Sequence, residues 1–223
     1  DTQDRIPTGF PRLDTILDGG PIRGEVMYVL APPKGGKSCA LINLAGHAAR
    51  RGFGVAFFSY EMPGRAMERR FHQFLTHSSR FELTRDPRRL DRVKGRIAAG
   101  AGHILVSQES PQLRDSANVA AKHVETWRAK GYKIDLMVLD YLNIMGSSRD
   151  ETEKRHELAR ISREISSQTK DLDVVTWSAA LVNRAAMNRR RFTKGDIGES
   201  LEVIAVADGL IGVCGTPQMR QAG

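Results

Sequence analysis

No stretch of this sequence is apolar for long enough to cross a bilayer: its hydrophobic runs are short and interrupted. The first five residues are polar or charged and carry no secretory apolar segment. Cysteine is scarce. With only Cys39 and Cys214, no disulfide framework can be built, and both read as small reduced side chains of a cytoplasmic interior, Cys39 as a buried one. The six histidines share no ligand spacing with those cysteines, which argues against a zinc module. Repeats and low-complexity linkers are missing too, and with them solenoids and tethered arrays. These features lead to the expectation of a cytoplasmic protein without membrane partners. It has 223 residues, 40% of them hydrophobic, enough for one good core and one domain over residues 1–223. No Met stands at position 1, so the natural chain is expected to begin upstream. The net charge of +8 is compatible with nucleic acid, but its placement matters more than its size.

Short apolar runs alternate with longer amphipathic stretches. The runs cover residues 26–30, 55–58, 104–106, 136–139, 174–177 and 210–213, and they are continuous rather than alternating with polar residues, as in strands buried on both faces. Helical patterns fall at 38–51, ending at Gly52, at 63–75, opening with Pro63, at 116–130, ending at Gly131, and at 153–172. The last puts Leu158, Ile161, Ile165 and Leu172 on one face. This alternation predicts an α/β domain with a mostly parallel central sheet flanked by helices. In such sheets ligands bind where strands end at their carboxyl side, so the residues just after each run carry the functional argument.

After the first run comes Ala31-Pro32-Pro33-Lys34-Gly35-Gly36-Lys37-Ser38-Cys39, and then a helical pattern. This matches the Walker A phosphate loop, with Ala31 in place of the first glycine. Gly35 and Gly36 allow backbone N–H groups to turn around phosphate oxygens, and the following helix adds its positive end. Lys37 would neutralise β/γ oxygens and Ser38 would offer a hydroxyl to Mg²⁺, so residues 31–39 read as an ATP-binding segment. Asp140 ends the run at 136–139, the Walker B context of a second Mg²⁺ ligand. Glu61 ends the run at 55–58 and its two following residues; it is either a base for the attacking water or a solvated charge at a helix start.

The ordered motifs resemble a family. Thr8-Gly9-Phe10, Leu13-Asp14 and Gly19-Gly20 are similar to RecA, KaiC and DnaB-type ATPases alike. Phe58-Ser59-Tyr60-Glu61-Met62 resembles the F-S-L-E-M segment of DnaB-type replicative helicases, and Leu139-Asp140-Tyr141-Leu142-Asn143-Ile144-Met145 their I-D-Y-L-Q-L-M. Asn183-Arg184 sits where S-Q-L-N-R ends, and Asp196-Ile197-Gly198-Glu199-Ser200, followed by Ala207-Asp208, matches D-L-R-E-S…A-D in order. The resemblance implies a RecA-like P-loop core, a ring of six subunits, and ATP-driven movement on single-stranded DNA in a bacterial or phage-infected cell. It also implies Glu61 as catalytic base, Arg184 beside Lys37 among the catalytic residues, and a primase or helicase loader as a further partner. Two residues depart from the family. Leu181 falls where a phosphate-sensing Gln is expected, and a leucine cannot hydrogen-bond. Gly198 replaces an Arg. The family's trans-acting basic segment is expected beyond Gly223, and its N-terminal domain and linker helix upstream of Asp1. The competing readings are a KaiC- or RadA-like ATPase in recombination or signalling, and a nucleotide-binding loader with little turnover.

For DNA the sequence offers one concentrated basic stretch. Residues 184–194 contain no acid, and Arg189, Arg190, Arg191 and Lys194 are placed to track phosphates, with Gly198, Glu199 and Leu201 offering backbone N–H groups nearby. No aromatics interleave, so base stacking is not indicated there. The stretch 85–96 carries Arg88, Arg89 and Arg92 but also Asp86 and Asp91, and reads as an exposed salt-bridged helix. His123 and Trp127, at helical spacing, read as core or interface.

Overall fold

The computed structural model describes residues 5–149, 153–183, 186, 189–193, 196 and 206–215. Its centre is a six-stranded sheet built from β1 (Val26–Ala31), β2 (Gly54–Ser59), β3 (His103–Gln108), β4 (Leu136–Asp140), β5 (Val175–Leu181) and β6 (Gly209–Gly212). All pairings are parallel, in the order β3-β2-β4-β5-β1-β6. Each apolar run of the sequence became a strand. The continuous runs are explained by burial on both faces: in β1, Val26, Tyr28 and Leu30 point into one apolar layer and Met27 and Val29 into the other.

Helices α2 (Lys37–Arg50), α3 (Gly64–Thr76) and α5 (Arg88–Ala99) cover the face of Met27. Helices α6 (Ser116–Ala129) and α7 (Lys154–Asp171) cover the face of Tyr28. α7 buries Leu158, Ile161 and Ile165 as its spacing required, with Leu172 buried just beyond it. Trp127 stacks on Phe58 with centroids 5.6 Å apart, so it belongs to that packing layer, and His123 lies beside both rings. At the opposite end from the strand carboxyl termini, the buried Asp135 accepts from the Gly54 amide at 2.9 Å and pairs with Lys133 and Arg23, tying β4 to β2.

Two short helices, α1 (Pro11–Ile16) and α4 (Arg80–Arg85), have no counterpart in the apolar pattern because neither buries a single residue. α4 starts on a capping box instead, in which the Ser79 hydroxyl accepts from the Glu82 amide and the Glu82 carboxylate from the Ser79 amide. The basic stretch at 85–96 divides between α4 and α5, with the turn at Asp86-Pro87. Asp86 pairs with Arg89 and Arg92 across that turn, and Glu82 with Arg89.

Candidate nucleotide-binding site

β1 ends at Ala31, fully buried and in register with Leu181 of β5. The chain then folds back on itself: the Gly35 amide donates to the Pro32 carbonyl at 2.9 Å, and Lys34 and Gly36 take the left-handed conformation at φ of 57° and 92°. A side chain at position 35 would meet the Pro32 carbonyl oxygen at 2.8 Å, so this loop closes only around glycine. Gly36 caps α2 without a side-chain hydrogen bond, leaving the first amides of that helix directed into the loop. The ring of amides and the helix start form a cradle for anionic oxygen.

Three adjacent elements deliver side chains to that cradle. Lys37, in the first turn of α2, is 7% exposed. Burial lowers its pKa, and the carboxylates of Glu61 and Asp140 oppose that shift. Its ammonium lies over the Tyr141 ring, 4.7 Å from the centroid. Ser38 donates its hydroxyl to Oδ1 of Asp140 at 3.1 Å. Asp140, the last residue of β4, is fully buried, and its Oδ2 has no hydrogen-bond partner among the described residues. Burial pushes its carboxyl up to about 6, reinforced by Glu61 and opposed by the Ser38 hydroxyl, Lys37 and Arg70. Glu61, just past β2, is exposed. Three hydrogen bonds flank it: the Tyr60 amide donates to the Asp140 carbonyl at 2.9 Å, and the Ser59 hydroxyl donates to the Met62 carbonyl and accepts from the Met62 amide, closing the following turn. Sequence, strand ends and hydrogen bonds thus bring Lys37, Ser38, Asp140 and Glu61 to one place.

Ser38 and Asp140 suit a hard divalent cation. Their oxygens adjoin, one carboxylate oxygen is buried and uncommitted, and no group of three or more His, Cys, Asp or Glu among the described residues could hold a metal unaided. That donor set fits a cation that brings phosphate oxygens with it.

Other expected residues fare differently. Cys39 is exposed, not buried, because α2 turns Leu41, Ile42, Leu44 and Ala45 toward the sheet. Leu181 ends β5, and its amide donates to Oδ1 of Asn143 at 3.0 Å. Its side chain brings no polar group to the cradle. Arg189 is not a free cation: its Nη1 lies 3.0 Å from Oδ1 of Asp196, whose other oxygen accepts from the Thr193 amide and hydroxyl. Arg190 and Arg191 are exposed. Arg184, Lys194, Gly198, Glu199 and Leu201 lie outside the described residues. Tyr141 and Asn143 were legible as types within the motif at 139–145, but only the fold shows what they touch.

A parallel α/β sheet with a phosphate loop after its first long strand and an acidic strand end beside it defines a nucleotide-binding protein of the P-loop class. The sequence profile of the DnaB-like helicase C terminal domain matches residues 5–214, and the chain belongs to that family. It is 27% identical over 201 residues to the replicative DNA helicase DnaB of Helicobacter pylori, covering 87% of this chain and 40% of that protein. The chain therefore spans about two fifths of that relative's length. Among solved structures it superposes on one described as an ATPase domain, with a TM-score of 0.79 at 20% identity, covering 94% of this chain and 77% of the other. A DnaB-like replicative helicase, described with its interactions with primase, gives 0.78 at 20% identity over 92% of this chain and 51% of that one. The core is RecA-like, as the motifs implied. No helix among the described residues is long and apolar enough to cross a membrane.

Proposed function

We propose that this domain is the ATP-hydrolysing motor of a ring-shaped replicative DNA helicase, coupling turnover to movement on single-stranded DNA. The observation that carries this reading is the convergence of Lys37, Ser38, Asp140 and Glu61 at the carboxyl ends of β1, β2 and β4, within a chain of the DnaB-like family. Lys37 and the loop amides bind and orient the β and γ phosphates of ATP. Ser38 and Asp140 would hold Mg²⁺, which supplies charge neutralisation on the phosphate oxygens. Glu61, exposed and fixed by its turn, accepts a proton from the attacking water. Arg184, a catalytic residue in the motif resemblance, would join the groups that stabilise the transferred phosphoryl. A hexameric ring, a cytoplasmic setting and primase or a loader as partners belong to the same proposal; for primase it is supported by the similar helicase structure described with its primase interactions.

The test is ATP hydrolysis by the full-length protein containing this domain, with and without oligothymidine, together with unwinding of a forked duplex. DNA-stimulated turnover and unwinding are expected. Turnover without unwinding would instead support a recombination or signalling ATPase. One observation favours a second reading, a nucleotide-binding loader: the apolar Leu181 stands beside the cradle where the resembling helicases have a Gln. Tight nucleotide binding with negligible turnover would select it.

A further inference from the structure

We propose that Tyr141 positions the phosphate-loop lysine: its ring face holds the Lys37 ammonium in place before nucleotide arrives, and so sets nucleotide affinity without touching phosphate. The inference rests on the nucleotide-binding reading above. Lys37 is almost fully buried, so its ammonium has lost much of its hydration. The nearby carboxylates only partly replace that water. Asp140 has one of its two oxygens engaged by the Ser38 hydroxyl, and Glu61 faces solvent. The Tyr141 ring, 4.7 Å from Nζ to centroid, is a direct side-chain contact of the ammonium. That distance lies within the range where the negative face of an aromatic ring attracts a cation, and the attraction grows as water is removed.

The ring is a firm support. Tyr141 follows the buried strand end of β4, its carbonyl accepts from the Ile144 amide at 3.3 Å, and its ring packs against the apolar layer under α2. Lysine, by contrast, has a flexible four-carbon stem whose rotamers must be frozen when a phosphate is gripped. A lysine already resting on a ring loses that freedom before binding, which is the general route by which preorganisation raises affinity.

Two measurements on the 223-residue chain test this. In nucleotide-free protein with ¹³C-labelled lysine, the Lys37 ε-methylene, assigned by its loss in Lys37→Gln, should show an upfield ring-current shift. The shift should vanish in Tyr141→Leu and persist in Tyr141→Phe. Titration with a fluorescent ADP analogue should then show binding weakened about 3–10-fold by Tyr141→Leu and within about 2-fold of wild type for Tyr141→Phe. Should Tyr141→Leu fold poorly, phenylalanine analogues with increasing ring fluorination at position 141 serve instead. They keep the shape and drain the ring's negative face, so affinity should fall stepwise. An unshifted methylene, a Phe variant as weak as Leu, or a flat fluorination series would overturn the role of Tyr141. Failure of the wild-type chain to bind the ADP analogue at all would instead remove the nucleotide reading on which it stands.

Discussion

The two places where this chain concentrates charge, the cradle at the ends of β1, β2 and β4 and the basic loop after β5, are built by opposite means. In the cradle the charged groups are few and largely buried, and they are committed to one another: Ser38 to Asp140, Lys37 to the Tyr141 ring. In the basic stretch Arg189, Arg190 and Arg191 are exposed, and one of them, Arg189, is spent on local shape through Asp196. A site for chemistry needs fixed distances and tolerates the cost of burying charge to obtain them. A surface that follows a phosphate backbone needs charge density more than geometry. The difference predicts that single substitutions will be severe in the cradle and graded in the loop.

The largest effects are expected at Lys37 and Glu61. Lys37→Ala should abolish nucleotide binding and turnover, because Lys37 is the buried cation of the phosphate loop and Lys34, the loop's other lysine, is exposed. Glu61→Gln preserves shape but removes the base, and should leave binding intact while slowing hydrolysis by about 10²–10⁴-fold. Paired titrations with a fluorescent nucleotide and steady-state ATPase rates separate the two. Undiminished hydrolysis in Glu61→Gln would show that the base lies elsewhere.

Next in size is the stability cost of the cradle. Burial raises the Asp140 carboxyl from 3.8 to about 6. Between those values the folded protein keeps a proton that the unfolded chain has released, so stability falls as pH rises from about 4 to about 6 and stays lower above it. A shift of this size corresponds to roughly 3 kcal/mol. Asp140→Asn is neutral and isosteric, so the nucleotide-free variant should be more stable than wild type at pH 7.5 and should lack the slope across that window. Urea denaturation at a series of pH values measures both. A wild-type profile with no such slope would mean that the carboxylate is better solvated than its surroundings indicate.

How far this contrast could be read from sequence follows from what leaves a trace there. The four inner strands announced themselves because burial on both faces demands unbroken apolar runs, and the half-exposed edge strands β3 and β6 through short apolar runs. The phosphate loop announced itself because few residue types can close a turn around anionic oxygen, and Gly35 is held against the Pro32 carbonyl as that requires. α1 and α4 left no periodic signal because nothing in them is buried. Cys39 departs from the buried position expected beside Lys37 because it lies on the outward stripe of α2 with Asn43, His47 and Arg50, while Leu41, Leu44, Ala45 and Ala48 form the inward one. The pairing of Arg189 with Asp196 joins residues seven apart, and no helix or strand spacing rule covers that. Tyr141 and Asn143 stood inside a quoted motif, yet their contacts depend on how β4 lies between β2 and β5.

The smallest effects are expected in the loop, and they sharpen the comparison most. If Arg190 and Arg191 track phosphates, changing either to Ala should weaken single-stranded DNA binding with little sequence dependence. Each lost contact should flatten the log–log salt slope by roughly 0.7. Arg189→Ala should behave differently, because its guanidinium lies 3.0 Å from the Asp196 carboxylate and is not free for phosphate. Its loss should leave the salt slope almost unchanged and lower affinity only by loosening the turn that Asp196 holds through Thr193. Asp196→Asn supplies the complement: it breaks the pair, releases Arg189 as a cation, and should steepen the slope if the freed guanidinium reaches the strand. Fluorescence anisotropy with labelled oligothymidine across a salt series, on the full-length protein with a non-hydrolysable ATP analogue, distinguishes these cases. Equal slope changes for Arg189, Arg190 and Arg191 would mean that the Asp196 pair opens on DNA and that all three arginines act as one charged surface. Unchanged slopes for all three would assign them to solvent and leave the DNA contact to other elements.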